Sequence, residues 1–176
     1  MLMKSEILLK IKSKLKTYLK DKEILDIILF GSAIKGKISP NDIDIAVITN
    51  KENLSIPNFH VSIIKPIDFF RNPPSLINTL LREGYSIKNN MPFSRMFKFD
   101  NQVLFTYNLS SLNNNSKVKI VNILRGKNKS LGLVKEEMGK WLGNGVFLVP
   151  ITSAHLFEKF LINFKVPFTK NYILMH

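Results

Sequence analysis

Two short apolar runs with a turn between them constrain this chain most. Ile24-Leu25-Asp26-Ile27-Ile28-Leu29-Phe30 is rich in branched residues and stops at Gly31. It reads as a buried strand. Ser32 to Asn41 (SAIKGKISPN) is small, glycine-containing and then Ser-Pro-Asn, which is turn-forming. Asp42-Ile43-Asp44-Ile45-Ala46-Val47-Ile48 reads as a second strand, and Phe59 to Lys65 as a third. Ahead of them, Ile7, Leu8, Ile11, Leu15, Tyr18 and Leu19 recur at helical spacing, with lysines on much of the remaining surface. Pro73-Pro74-Ser75 opens a helix over Leu76 to Arg82, and Gly84 ends it as a C′ glycine.

The later half predicts a strand at Gln102–Tyr107 and a polar linker at Ser111–Ser116, whose Ser116 caps a helix running to Leu124. A helix over Leu133–Leu142 ends at Gly143. A strand at Val146–Val149, a helix at Ser153–Asn163 and a strand at Phe168–Met175 follow, without internal repeats. The linker is the one compositional boundary, so the expected division is residues 1–110 and 111–176.

Composition narrows the class. The chain has 176 residues, 45% hydrophobic and 22% charged, which excludes a mostly disordered or collagen-like chain. It has no cysteine, so disulfide frameworks, Cys-ligated zinc and thiol catalysis are excluded. The basic N-terminus lacks an apolar core long enough for a signal peptide, and no run could span a membrane. The expectation is a cytoplasmic protein without a membrane partner. The formal charge of +13 points to a polyanion. Residues 1–88 carry net +5 and residues 89–176 net +8, so the excess leans to the later half.

The chemistry lies between the first two strands. Side chains on a strand alternate faces, so Asp42 and Asp44 point the same way while Ile43 and Ile45 enter the core. Paired carboxylates repel unless a cation neutralises them, and hard oxygens select Mg²⁺ or Mn²⁺. Mg²⁺ retains positions for substrate phosphates, so the pair predicts a metal–triphosphate site. Gly31 permits close backbone approach, and the Ser32 hydroxyl and nearby N–H groups can meet phosphate oxygens. A helix starting at Ser32 would add a dipole favourable to anions.

The conjunction of apolar strand, Gly31-Ser32, a nine-residue turn segment and Asp42-Ile43-Asp44-Ile45 resembles the signature of the DNA polymerase beta-type nucleotidyltransferase superfamily. Its small archaeal and bacterial minimal members are closest in size. The resemblance covers residues 1–110 and implies an α+β nucleotidyltransferase fold. That fold would be a small mixed sheet with the site on one face and helices on the other, followed here by a short basic C-terminal α/β extension. It implies Gly31 and Ser32 on the nucleotide phosphates and Asp42 and Asp44 as metal ligands. The superfamily usually adds a third carboxylate from a neighbouring strand. Here that strand is Phe59-His60-Val61-Ser62-Ile63-Ile64, which holds no acid. His60 stands in as candidate ligand or base. Asp68 is the nearest later acid and sits at a turn after Pro66.

Lys35 is a further candidate for the triphosphate. Lys117, Lys119, Arg125, Lys127 and Lys129 form the best nucleic-acid patch. Trp141 reads as packing. The expected activity is Mg²⁺- or Mn²⁺-dependent transfer of a nucleoside monophosphate from an NTP, with ATP the expected nucleotide. The acceptor would be RNA such as tRNA, or a protein. The alternatives are an antitoxin-type enzyme that adenylylates a partner protein, and a catalytically impaired module that binds nucleotide or nucleic acid.

Overall fold

A computed structural model describes residues 5–34, 43–127 and 130–176. It divides the chain into two compact units, residues 1–99 and 100–176. The architecture is α+β, with one sheet in each unit.

The first unit opens with helix α1 (Ser5–Leu19), strand β1 (Ile24–Leu29), a 3₁₀ turn at Gly31–Ala33, and strands β2 (Ile43–Thr49) and β3 (Phe59–Ile64). Helices α2 (Asp68–Arg71) and α3 (Leu76–Glu83) and the short strands β4 (Tyr85–Ser86) and β5 (Met91–Pro92) complete it. The sheet order is β3-β2-β1-β4-β5. The pair β1–β2 is antiparallel and β2–β3 parallel, so the sheet is mixed as expected.

Period two sorts β2 onto both faces. Ile45 and Val47 join Ile27 and Leu29 beneath Ile11 and Leu15 of α1. Ala46 and Ile48 join Ile28, Ile64 and Phe93 beneath Ile77 and Leu80 of α3. Helices therefore cover both faces of this sheet, and α3 shares the face that Asp44 occupies. The expectation of helices on the far face alone is corrected, because β1 and β2 carry apolar residues on both sides and each side needs a cover.

Gly84 does end α3, in extended rather than left-handed conformation (φ −70°, ψ 146°). Glycine is needed here for proximity: an added Cβ would lie 2.8 Å from Ile28 Cγ2 and collide with the Leu80 carbonyl.

Asp26 is an acid inside an apolar run, and it is 2% exposed. Its carboxylate accepts hydrogen bonds from Ser86 Oγ (2.6 Å), Asn89 Nδ2 (3.0 Å) and its neighbour Ile27 N–H (2.8 Å). The β4–β5 turn is thereby tied to β1. Asp26→Ala would leave the buried Ser86 hydroxyl without this acceptor. The expected loss is about 2–3 kcal/mol, checked by urea unfolding of the full chain, with Asp26→Asn losing less.

The second unit holds strand β6 (Asp100–Tyr107), helices α4 (Asn114–Arg125) and α5 (Leu133–Glu136), strands β7 (Lys140–Gly143) and β8 (Val146–Pro150), helix α6 (Ala154–Asn163) and strand β9 (Phe168–Met175). Its sheet is antiparallel, in the order β7-β8-β6-β9. Ile120 and Leu124 of α4 and Phe157 and Leu161 of α6 cover Val103, Phe105, Phe147 and Val149. Phe105 and Phe147 stack at 5.2 Å, and Phe157 packs on Phe147 at 5.0 Å. Each such pair adds about 0.5–1.5 kcal/mol beyond area burial.

Three local expectations change here. The compact units divide after Phe99 rather than at 110, because β6 pairs with both β8 and β9 and so belongs wholly to the second sheet. The cap of α4 is Asn113, whose side chain accepts from Ser116 N–H at 2.9 Å. The helix expected to reach Leu142 stops at Glu136. Met138 takes φ 57°, and Lys140–Gly143 pairs with β8 through a turn at Asn144-Gly145. Trp141 is therefore a strand residue, and it does pack, stacked on Phe147 at 10° between planes.

Tyr107 is 7% exposed, and its hydroxyl has no hydrogen-bond partner among the described residues. Burial pushes its phenol up to about 12, and the neighbouring Gly145 backbone lowers it by a smaller amount. A raised acid leaves stability intact below the unfolded value near 10. Stability is lost as pH climbs from there towards 12, because only the unfolded chain ionises. Tyr107→Phe should remove that loss and gain about 1 kcal/mol at neutral pH. Tyrosinate absorbance should show a late-titrating phenol that is absent from the variant.

Candidate active site

The site is built where β1 ends beside the start of β2. Phe30 is extended (φ −149°), and its N–H donates to the Asp44 carbonyl at 3.2 Å. The chain then turns at Gly31 with φ +74°. An added Cβ at Gly31 would lie 2.5 Å from Asp44 Oδ2, so only glycine lets the turn approach that carboxylate. Ser32 follows, half-buried, and Ala33 is buried and anchors the turn in the core. Among the described residues, Ser32 lies in a three-residue 3₁₀ turn, Gly31–Ala33. The Ser32 hydroxyl and the backbone N–H groups of the half-buried Gly31 and Ser32 are candidate donors.

On the other side of β2, the parallel register sets Asp44 directly opposite His60. Their contact is His60 Nδ1 to Asp44 Oδ1 at 3.2 Å, with the His60 side chain 73% exposed and the Asp44 side chain 31% exposed. An accessible carboxylate thus lies between a glycine turn and an imidazole. Asp68 begins α2 beyond the far end of β3, a strand's length from His60. It does not join Asp44.

Gly31, Asp44 and His60 come together, and Ser32 follows Gly31 in the turn. Asp42 and Lys35 lie outside the described residues, as does Lys129. Among the described residues, no group of three or more His, Cys, Asp or Glu side chains could hold a metal. Carboxylate oxygens with an imidazole nitrogen are nonetheless a donor set that suits a divalent cation. Lys117 and Lys119 lie on α4, with Arg125 at its end and Lys127 just beyond; Lys119, Arg125 and Lys127 are exposed and Lys117 half-buried. The close approach of Gly31 to Asp44 needs the strand pairing as well as the motif, and spacing alone does not reveal it.

Residues 13–90 match the family model described as polymerase beta, nucleotidyltransferase. That span runs from α1 to the β4–β5 turn and includes Gly31, Ser32, Asp42, Asp44 and His60. Searches of curated proteins and of solved structures gave no match. Residues 13–90 are thus a nucleotidyltransferase domain of the DNA polymerase beta type, a superfamily of transferases that generally use a nucleoside triphosphate and a divalent metal. No helix among the described residues is long and apolar enough to cross a membrane.

Gly31→Ala tests the close approach. A methyl group at φ +74° costs about 1–2 kcal/mol of backbone strain. The atom it meets is the free end of a side chain, so Asp44 would turn away while the fold survives. Calorimetry should show divalent-metal and NTP binding weakened at least tenfold, with the far-ultraviolet circular dichroism unchanged.

Proposed function

We propose that the chain transfers a nucleoside monophosphate from an NTP to an acceptor hydroxyl, with release of pyrophosphate. The observation that carries this reading is the Asp44 carboxylate held against the Gly31 turn and in register with His60. Asp44, with Asp42 two residues before it, would hold Mg²⁺ or Mn²⁺. The metal, when bound, would neutralise phosphate charge and so favour attack at phosphorus. The Gly31 backbone and the Ser32 hydroxyl would position the phosphates, with Lys35 as a further cation. We take ATP as the expected nucleotide.

The acceptor oxygen bonds to the α-phosphorus as the bond to the bridging oxygen breaks, and that oxygen leaves with pyrophosphate. The acceptor proton needs a base. His60 donating from Nδ1 to Asp44 Oδ1 fixes the tautomer whose Nε2 accepts a proton. This role would replace that of the carboxylate β3 lacks. A second reading has its own support: without that carboxylate, the domain could bind nucleotide without turnover. A protein acceptor, modified by adenylylation, is the alternative to RNA within the enzymatic reading. The setting proposed for either is the cytoplasm.

Labelled NTP with Mg²⁺ and total RNA or a soluble protein fraction separates these possibilities. Labelled RNA or protein is the expected outcome of the enzymatic reading; nucleotide binding without any labelled acceptor supports the module. Asp42→Asn with Asp44→Asn should abolish metal-dependent NTP binding, and persistence of that binding sinks the site assignment. His60→Ala should lower kcat about a hundredfold while KM for the NTP changes little, as expected of a proton acceptor rather than a binding group.

A further inference from the structure

The second unit carries a basic surface that nucleotide binding by the first does not use. Helix α4 (NNSKVKIVNILR) has Lys117, Lys119 and Arg125 and no acid. Its Ile120 and Leu124 are buried, so its polar side chains are left for the outer faces. Along one of these runs an open groove of about 730 Å³, between α4 and the segment Ser130–Glu136. Val118, Leu133 and Ile123 supply apolar lining, Asn115 and Asn122 supply amides, and Lys119 and Glu136 supply charge of opposite sign. Val118 is 59% exposed, so the groove presents apolar surface to solvent. Lys119 Nζ lies over the Phe164 ring at 5.9 Å. Arg125 and Lys127, both exposed, extend the positive charge past the end of the helix.

We propose that this groove binds single-stranded RNA. Lys119 in the groove meets one phosphate, and Arg125 and Lys127, at and just past the end of α4, meet others as the strand runs on. Val118 and Leu133 take the face of a base, and the Asn115 and Asn122 amides meet its edge, where each can donate and accept. The volume suits one or two nucleotides of a single strand. Glu136 distinguishes RNA from DNA. A carboxylate repels phosphate, but it accepts a hydrogen bond from a ribose 2′-hydroxyl, which DNA lacks. Only the naming of this RNA as the acceptor rests on the proposed nucleotidyl transfer; the binding itself does not.

The other strongly basic element is α1, with exposed Lys14, Lys16 and Lys20 at its surface and just past its end. It packs on the face of its sheet opposite Asp44 and serves as the internal control.

The test is fluorescence anisotropy of the full chain with a labelled 12-nucleotide RNA, without NTP or metal, across a salt series. Binding should weaken with salt, with a slope of log K against log salt of about −2 for three neutralised phosphates. Lys119→Glu with Arg125→Glu should weaken it tenfold or more and flatten the slope, and the milder Lys119→Gln with Arg125→Gln should do so by a smaller factor at an unchanged melting temperature. Lys14→Glu with Lys16→Glu should leave it within twofold. DNA of the same sequence should bind more weakly, and Glu136→Gln should narrow that gap. The proposal is overturned if the RNA does not bind, if DNA binds as well, or if the α1 variant weakens binding while both groove variants do not. Asp44→Asn should keep RNA binding while losing metal-dependent NTP binding. RNA binding and nucleotide binding are read separately, so either assignment can fail alone.

Discussion

The pairing of β2 with two neighbours of opposite sense is the constraint from which the first unit follows. Antiparallel pairing with β1 brings the end of one strand beside the start of the next, which sets the Gly31 turn at Asp44. Parallel pairing with β3 lays like faces side by side, which sets His60 opposite Asp44. A one-residue slip of β2 would turn Asp44 into the core and Ile45 out of it. Ile45, Ala46 and Val47 are fully buried, and an aliphatic side chain of the size of Ile45 or Val47 contributes about 1.5–3 kcal/mol on burial. The register therefore has a large energetic penalty against error. The same burial that stabilises the sheet aims the carboxylate.

The site's accessibility follows from how far the covers extend. Helix α3 packs on the Asp44 face over Ala46, Ile48 and Ile64, which lie further along β2 and β3. Asp44 and His60 sit nearer the start of those strands and remain partly or largely open to solvent. Apolar residues on this face thus give way to polar ones where the helix cover gives way to solvent. Asp26 lies towards the other end of this sheet, opposite Ile48 on β1. It is a charged group of the same kind, but its surroundings differ: Ser86 and Asn89 satisfy it within the fold. One aspartate is consumed by structure, and the other keeps its carboxylate accessible.

Much of this was legible in the sequence wherever a periodic signal was strong. The three strands, the alternation that separates Asp44 from Ile45, and the absence of an acid on β3 are all properties of short windows. The elements that escaped depend on partners distant in the chain. The β4–β5 turn has few residues and little apolar signal; it is held by Asp26, 60 residues before Ser86. Residues 133–142 contain helix formers, yet Lys140–Gly143 is a strand because β8 offers it a pairing edge. Asn144-Gly145 was an available cue there, since that dipeptide favours the tight hairpin turn. The contact of His60 with Asp44 needed the strand register, while its candidacy needed only the alternation along Phe59–Ile64.

The charge distribution changes meaning once the true units are used. Divided at residue 88, the later half looked distinctly more basic. Divided between Phe99 and Asp100, the first unit carries 16 basic and 9 acidic residues, net +7, and the second 10 and 4, net +6. Bulk charge therefore does not single out the second unit as the polyanion-binding part. What distinguishes α4 from the other basic surfaces is the groove beside it. In the first unit, Lys51 pairs with Asp21 and Glu23; its hydrogen bond lowers the Asp21 carboxyl, and the bonds to the two acids raise the Lys51 ammonium. Lys65 lies near Glu52. In the second unit, Lys170 pairs with Glu158, while α4 carries no acid and its Lys119 lines a groove with amide and apolar lining. A net charge attracts any polyanion and falls off within a Debye length. A cation set in a concave surface, with others close along the chain, can select one, because shape and hydrogen bonding act at the same place as the charge.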